Sequence, residues 1–461
     1  MCARAAAPSD RPGPPHLVRA LGLGAAAAIV VGDTIGSGIF LVSSDMARVV
    51  GSAPLVFAAW IFAGLIVLFG AFCYAELGAL FPEAGGPYAY LNRGLGPLWG
   101  FLFGWMSSFL ERPVAMAALA AGFLRFLSFL LPRLATPLFA VHLGHDDFVF
   151  TVAQPLAALV IVAVTAVNCL SVRMSGAIQI LMTAVKIGAI VLIIAGGLVL
   201  GGKHAAPAVA LSAAPLRLGT VAALLTALVP AMWAYNGFND LGHVGEEIVH
   251  PERNIPLAIL LGLGTVGGLY LLSNVVYFHL LPFAEVARSE HVASDAVRAF
   301  AGSGGAAWLT AAMAFSALGA LHVVVLTGAR IPYAMARDGV FFRFAAHLHP
   351  SFRTPTGSLL FLGSLAALLA LTGTYEELYS LFVFGVWIFF ALTAIALLRL
   401  RFREPERSRP YRAWGYPLTP LIFLGAAVAL TLNLWLIRPV RSSAGLAVIL
   451  AGIPFFYRWR K

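Results

Sequence analysis

The sequence predicts an all-α polytopic membrane protein with twelve transmembrane helices. Three observations predict it. Of the 461 residues, 60% are hydrophobic and only 11% are charged, against roughly a quarter charged in soluble domains. Apolar runs near the ~20 residues that a helix needs to cross a bilayer recur from residue 17 onward. The ~10-residue alternating segments of a membrane β-barrel are missing. This composition excludes a disordered chain and argues against a soluble enzyme.

The runs place spans at about 17–46, 53–81, 97–128, 150–170, 177–201, 218–245, 254–281, 305–335, 357–373, 378–400, 418–437 and 443–458. Pro and Gly clusters punctuate most of them, as at Pro82 to Pro87 and Pro350 to Pro355. Residues 1–16 are polar, carry Pro8, Pro12, Pro14 and Pro15, and read as a disordered cytoplasmic tail. The run behind them is too long for the apolar core of a signal peptide and is taken as the first span.

The formal charge of +10 has a topological origin. With the N-terminus inside, nineteen of the 30 Lys and Arg residues fall on cytoplasmic segments and nine on the opposite side. Arg112 and Lys186 lie within spans. This bias predicts both termini cytoplasmic, and it removes any need for a nucleic-acid partner. The segment from Arg399 to Arg412 is placed to meet anionic headgroups. Cys2, Cys73 and Cys169 make no CxxC pair, so neither a disulfide framework nor a zinc site is expected.

Two spans carry helix-breaking signals. The first holds VGDTIGSGIF at 31–40, with Gly36, Ser37 and Gly38 in mid-span. The sixth holds WAYNGFND at 233–240, one turn after Pro230. Each glycine costs roughly 1 kcal/mol in a helix interior relative to alanine. Bare backbone in lipid costs several kcal/mol per group, so an unwound stretch survives only where it lines a cavity. Amides at the start of one half-helix attract an anion, and carbonyls at the end of the other attract a cation. Two such breaks five spans apart point to an inverted-repeat transporter with its site between them. A close-packed glycine face is the plainer reading of either break alone.

Other polar residues stand inside the spans. Lys186 lies in mid-span 5, where a lysine is expensive enough to imply a role. Asp33, just before the first break, either takes part in proton coupling, attracts a cationic substrate, caps the second half-helix or meets Lys186. His322 in span 8 is a hydrogen-bonded packing group or a proton relay. Glu111 and Arg112 are adjacent on one helix, so a direct pair between them is not expected. Glu246 and Glu247 could form an inner gate with Arg253. No HExxH, GxSxG or P-loop pattern occurs, which argues against an enzyme.

At these motifs the chain resembles the amino acid–polyamine–organocation superfamily, and within it the L-type amino acid transporter branch and its bacterial relatives. The matching stretches are GSGIF at 36–40, CYAELGALFPEAGGPYAYL at 73–91, Arg112-Pro113, WAYNGFND at 233–240, EEIVHPERNIPLAI at 246–259, ARDG at 336–339 and RPYRAWGYP at 409–417. The resemblance implies a leucine-transporter-like fold. Residues 17–201 and 218–400 would be inverted repeats, 401–417 a basic cytoplasmic loop and 418–458 two appended helices.

It also implies a site. The substrate carboxylate would meet amides around Gly36, Ser37 and Gly38. The ammonium would meet carbonyls of Thr34 or Ile35 and of Trp233, whose ring would gate the substrate. Tyr235, Asn236 and Gly237 would complete the pocket. Lys186 would stand where sodium-coupled relatives hold sodium, reaching a Gly36 or Ser37 carbonyl and Ser316. The implied function is sodium-independent exchange of amino acids, with proton-coupled symport as the alternative and a nutrient sensor or membrane enzyme as remote ones. Asn236 replaces a glycine of the L-type branch, narrows the pocket and favours small neutral substrates. No cysteine lies in 129–149, where relatives bond a heavy subunit, so a stand-alone bacterial cell-membrane protein is expected. No cofactor is expected.

Overall fold

In lipid a backbone must satisfy its own polar groups, so the apolar runs have little choice but to coil into helices. The computed structural model describes residues 17–36, 38–143, 146–201, 218–372 and 375–459. Ser37 and the tail 1–16 lie outside them. Ten helical stretches among the described residues are long and apolar enough to cross a membrane. Two shorter apolar helices, Ala222–Ala234 and Thr356–Ala370, stand where the sixth and ninth spans are expected.

The first span is two helices, α1 (Leu23–Thr34) and α2 (Gly38–Val50). The second is α3 (Ala53–Leu80), followed by the short α4 (Pro87–Gly94). The third runs as α5 (Pro97–Met106), a π-helical turn over Ser107–Glu111, and α6 (Arg112–Leu130). The stretch expected as a loop after it contains an antiparallel hairpin, β1 (Pro137–Leu143) and β2 (Asp146–Thr151), with Phe139 opposite Phe150. Then come α7 (Ala153–Leu170) and α8 (Val172–Leu200).

The sixth span begins as α9 (Leu218–Ala234) and resumes only as a 3-10 helix, Asp240–Glu247. The seventh is α10 (Pro251–Leu280). The expected loop after it holds α11 (Phe283–Arg288) and the start of α12 (Val292–Gly328), which kinks at Gly302 and continues into α13 (Arg330–Arg337). The chain closes with α14 (Thr356–Ala370), α15 (Tyr375–Arg403), α16 (Leu418–Ile437) and α17 (Pro439–Trp459). α1 packs against α8, α10 and α12, so the first break sits inside a ring of helices.

The basic loop is partly turned inward. Glu76 on α3 is fully buried and accepts from Arg401 Nε and Nη2 at 2.7 and 2.6 Å. Arg409 Nε lies 3.1 Å from the same carboxylate, and the Ala413 amide donates to it at 2.7 Å. Arg401 also stacks on Tyr416, and Arg407 on Phe81. Of the cluster expected at headgroups, Arg401 and Arg409 are therefore engaged by protein, while Arg403 and Arg412 are exposed. Removing one partner of a buried pair strands the other and costs about 3 kcal/mol or more. Glu76→Ala is expected to lower the unfolding midpoint in detergent, with Arg403→Ala leaving it in place. Equal midpoints for all three proteins would mean that Glu76 does not pin the loop.

Candidate functional site

Both breaks occur where the sequence places glycine between polar residues. α1 ends at Thr34, and Ile35 (φ −77°, ψ 84°) leaves the helix. α9 ends at Ala234, and Gly237 takes φ +125°, a conformation open to glycine and strained for other residues. The breaks touch. A Cβ on Gly237 would lie 2.8 Å from the Thr34 nitrogen and 2.9 Å from Asp33 Oδ2. A Cβ on Gly38 would lie 2.8 Å from Ala234 Cβ. Missing side chains let the two unwound segments interlock.

The exposed carbonyls of the first break find donors. Lys186 Nζ donates to Gly32 O at 2.6 Å and to Ile35 O at 2.9 Å. Ser316 Oγ donates to the same Ile35 O at 3.2 Å. The expected acceptor was Gly36 or Ser37; the ammonium instead takes carbonyls one and four residues before Gly36. The last turn of a helix leaves its carbonyls unpaired and is the negative end of its dipole, so it is the better cation site. The Tyr270 hydroxyl lies 2.9 Å from both Thr34 O and Ala234 O and ties the two breaks to α10. Trp233 O accepts the Asn236 amide at 3.0 Å. The three carbonyls expected to meet an ammonium thus already hold donors.

One cavity opens between the breaks. Asp33, Thr34, Gly36 and Gly38 line it from the first, and Trp233, Asn236 and Gly237 from the second. Glu111, Arg112, Asn239 and Asp240 complete its polar wall. Ile35 and Tyr235 are not among its lining residues. Ile35 contributes its carbonyl to Lys186 and Ser316 instead. Tyr235 is 2% exposed and turns toward α3, with its ring 5.7 Å from Trp60 and 5.1 Å from Tyr270. In an unwound segment neighbouring side chains diverge, so Asn236 reaches the cavity and Tyr235 does not. His322 also lies elsewhere. Its Nδ1 is 3.3 Å from Gln179 Oε1, in a brace where Gln179 and Thr183 both donate to Ala28 O.

The strongest feature of the wall is an ion pair that motif reading did not join. Arg112 donates from both Nη atoms to Asp240, at 2.8 Å for Nη2–Oδ1. Thr327 Oγ1 and Asn239 Nδ2 donate to the same carboxylate at 2.9 and 3.0 Å. Opposite charges on two separate spans were the available signal. The expected lack of a Glu111–Arg112 contact is overturned, since Glu111 Oε1 lies 3.2 Å from Arg112 Nη2. Glu111 closes a π-helical turn, which departs from the α-helical spacing that keeps neighbours apart. The inner-gate expectation also changes partners. Glu247 takes Arg330 at 2.7 and 2.9 Å, both fully buried, and Glu246 takes Arg337 at 2.8 Å. Arg253 is exposed on the first turn of α10 and joins neither.

The family model for amino acid permeases matches residues 21–456. The chain belongs to the amino acid permease family. The b(0,+)-type amino acid transporter 1 of Homo sapiens is similar at 32% identity over 411 residues, covering 88% of this chain and 80% of its own. The Large neutral amino acids transporter small subunit 2 of Homo sapiens is 31% identical over 448 residues, covering 96% and 80%. The Serine/threonine exchanger SteT of Bacillus subtilis (strain 168) is 29% identical over 450 residues, covering 96% and 98%. These relatives are transporters, and this permease spans most of their length.

The interlocked breaks make a test. Gly237→Ala forces a methyl onto Asp33 and Thr34 at a strained φ, a cost on the order of 1–3 kcal/mol for the backbone alone. Amino acid uptake by this variant is expected to fall more than about tenfold at equal expression. Gly264→Ala on α10, whose added methyl meets nothing within 4 Å, should transport as wild type. Wild-type uptake by Gly237→Ala would show that the contact between the breaks is dispensable.

Proposed function

We propose that this permease exchanges small neutral L-amino acids across a cell membrane by alternating access, without sodium. The observation that carries the reading is the convergence of two broken helices on one cavity. The helix start at Gly38 suits a carboxylate, and the acidic wall suits an ammonium. Lys186 supports sodium independence, because its ammonium already neutralises the end of α1 that a metal ion would otherwise hold. Asn236 in the cavity wall supports a small substrate with hydrogen-bonding capacity. The serine/threonine exchange named for the Bacillus relative agrees with both.

In this reading 17–201 and 218–400 are inverted repeats, with one break in the first helix of each. Both termini face the cytoplasm, as the Arg distribution directs. The protein works without a disulfide-linked heavy subunit and without an enzymatic step. Proton-coupled symport is the second reading, and the Asp33 carboxyl in the cavity wall favours it.

The test uses purified protein in liposomes and radiolabelled L-alanine and L-serine, in sodium-free buffer. Uptake is expected only when the lumen holds unlabelled amino acid, with no change on adding sodium. Lys186→Ala is expected to reduce it more than about tenfold, as removal of a buried charge-assisted contact worth ~1.5–3 kcal/mol predicts. Concentrative uptake into empty vesicles under an inward proton gradient would replace exchange by symport. Failure of every amino acid in loaded vesicles would overturn the transport reading itself.

A further inference from the structure

The loop that Glu76 holds keeps one charged face turned outward. From Arg399 to Arg412 the chain carries six arginines and two acids, Glu404 and Glu406. Four of the arginines are held by protein. Arg399 Nη1 donates to Leu95 O at 3.1 Å. Arg401 and Arg409 share Glu76, and Arg407 pairs with Glu404 at 2.7 Å. Arg403 and Arg412 are exposed and have no hydrogen-bond or ion-pair partner among the described residues. Glu406 is exposed in the same way, so the outer face keeps an excess of positive charge.

These two arginines stand at fixed points. Arg409 Nη2 donates at 2.8 Å to Glu404 O, one residue beyond Arg403. The Ala413 amide, one residue beyond Arg412, donates to Glu76 at 2.7 Å. Arg409 also meets Glu76, so both positions are anchored on one buried carboxylate. Aromatic rings flank them. Phe402 is 87% exposed and Trp414 is 68% exposed, the latter with its ring 6.0 Å from Phe72 of α3. Leu418 and Leu421 follow, exposed on the first turn of α16. α16 is long and apolar enough to cross a membrane, so these leucines face acyl chains. Trp414, four residues before the helix, then stands where headgroups meet chains, the level that indole rings favour. A guanidinium fork matches the oxygens of a phosphate. A free phosphate or a nucleic acid would leave Phe402 and Trp414 in water. A ligand that satisfies both the rings and the charges carries a phosphate and acyl chains together.

We propose that the outer face of this loop binds an anionic phospholipid, with Arg403 and Arg412 on its headgroup and Phe402 and Trp414 against the upper part of its chains. The lipid supplies the negative charge that Glu76 and Glu404 leave unprovided. The inference is independent of the transport reading.

The test measures lipid contact at Trp414. The protein is reconstituted in bilayers of mixed phosphatidylglycerol and phosphatidylcholine, with the chains of one or the other brominated, and quenching of tryptophan fluorescence is recorded. The chain has nine tryptophans, so the share of Trp414 is taken in each background as the difference from Trp414→Phe. Phosphatidylglycerol is expected to be preferred at Trp414 by about fivefold or more at low ionic strength, as basic side chains at a charged headgroup predict. The preference is expected to shrink as salt is added. Arg403→Gln with Arg412→Gln is expected to bring it below about twofold and to leave the unfolding midpoint in lipid-free detergent unchanged. Arg48→Gln with Arg298→Gln removes the same charge from exposed pairs elsewhere and is expected to keep the preference. A preference that survives in the first double variant overturns the proposal, and so does one lost equally in both. Equal quenching by the two lipids in wild type, or quenching by neither, overturns it as well. A lowered midpoint in the first double variant would assign the two arginines to the fold instead.

Discussion

The contact between the Lys186 ammonium and the last carbonyls of α1 is the constraint on which the rest of the site depends. A helix that stops inside an apolar ring leaves several carbonyls without partners, and each would cost free energy if left bare. Lys186, Ser316 and Tyr270 supply the missing donors from α8, α12 and α10. Because these donors come from three helices, the break is held in position as well as satisfied. The glycines then become intelligible. Gly38 and Gly237 leave room for the broken segments to meet, and the cavity is what remains between them.

A second consequence is the sorting of charge. The described interior contains several full charges, and most are joined in pairs that cross between helices distant in sequence. Arg112–Asp240, Glu247–Arg330 and Glu76 with Arg401 and Arg409 each link segments more than 80 residues apart. Such pairs are poor sources of net stability, because desolvation offsets much of the attraction. Their value lies in the penalty for any arrangement that separates them, which restricts how the helices can be placed.

Much of this was legible in the sequence, for identifiable reasons. Long apolar runs report directly on a bilayer, and glycine flanked by polar residues reports on a broken helix, so the span pattern and both breaks could be read. Lys186 could be singled out because its place in mid-span leaves little room for the bland explanation, a side chain that snorkels to an interface. What could not be read was pairing. Nothing local says that Glu247 chooses Arg330 over the nearer Arg253, since the choice is made where α13 folds back onto the 3-10 segment. The direction of Tyr235 was hidden for a related reason. Helical spacing predicts which residues share a face, and in an unwound stretch that rule lapses. The Glu111–Arg112 contact escaped because its π-helical turn breaks the same spacing.

The ion pairs also bear on how the exchange we propose would proceed. The 3-10 segment after the second break is bound to α6, α12 and α13 by Arg112–Asp240, Thr327–Asp240, Arg330–Glu247 and Arg337–Glu246. Opening the cavity past this segment must separate them. The outermost pair, Arg337–Glu246, is 39% and 24% exposed, whereas Arg330 and Glu247 are fully buried. Water that reaches the outer pair first lowers its attraction and solvates the freed charges. The same hydration then becomes available to the next pair inward. A layered gate of this kind lets a large total electrostatic cost be met in steps, each offset by water, while the dry closed state keeps every charge matched. The order of exposure along the segment therefore implies a direction of opening, from Arg337–Glu246 toward Arg112–Asp240, with the cavity reached last.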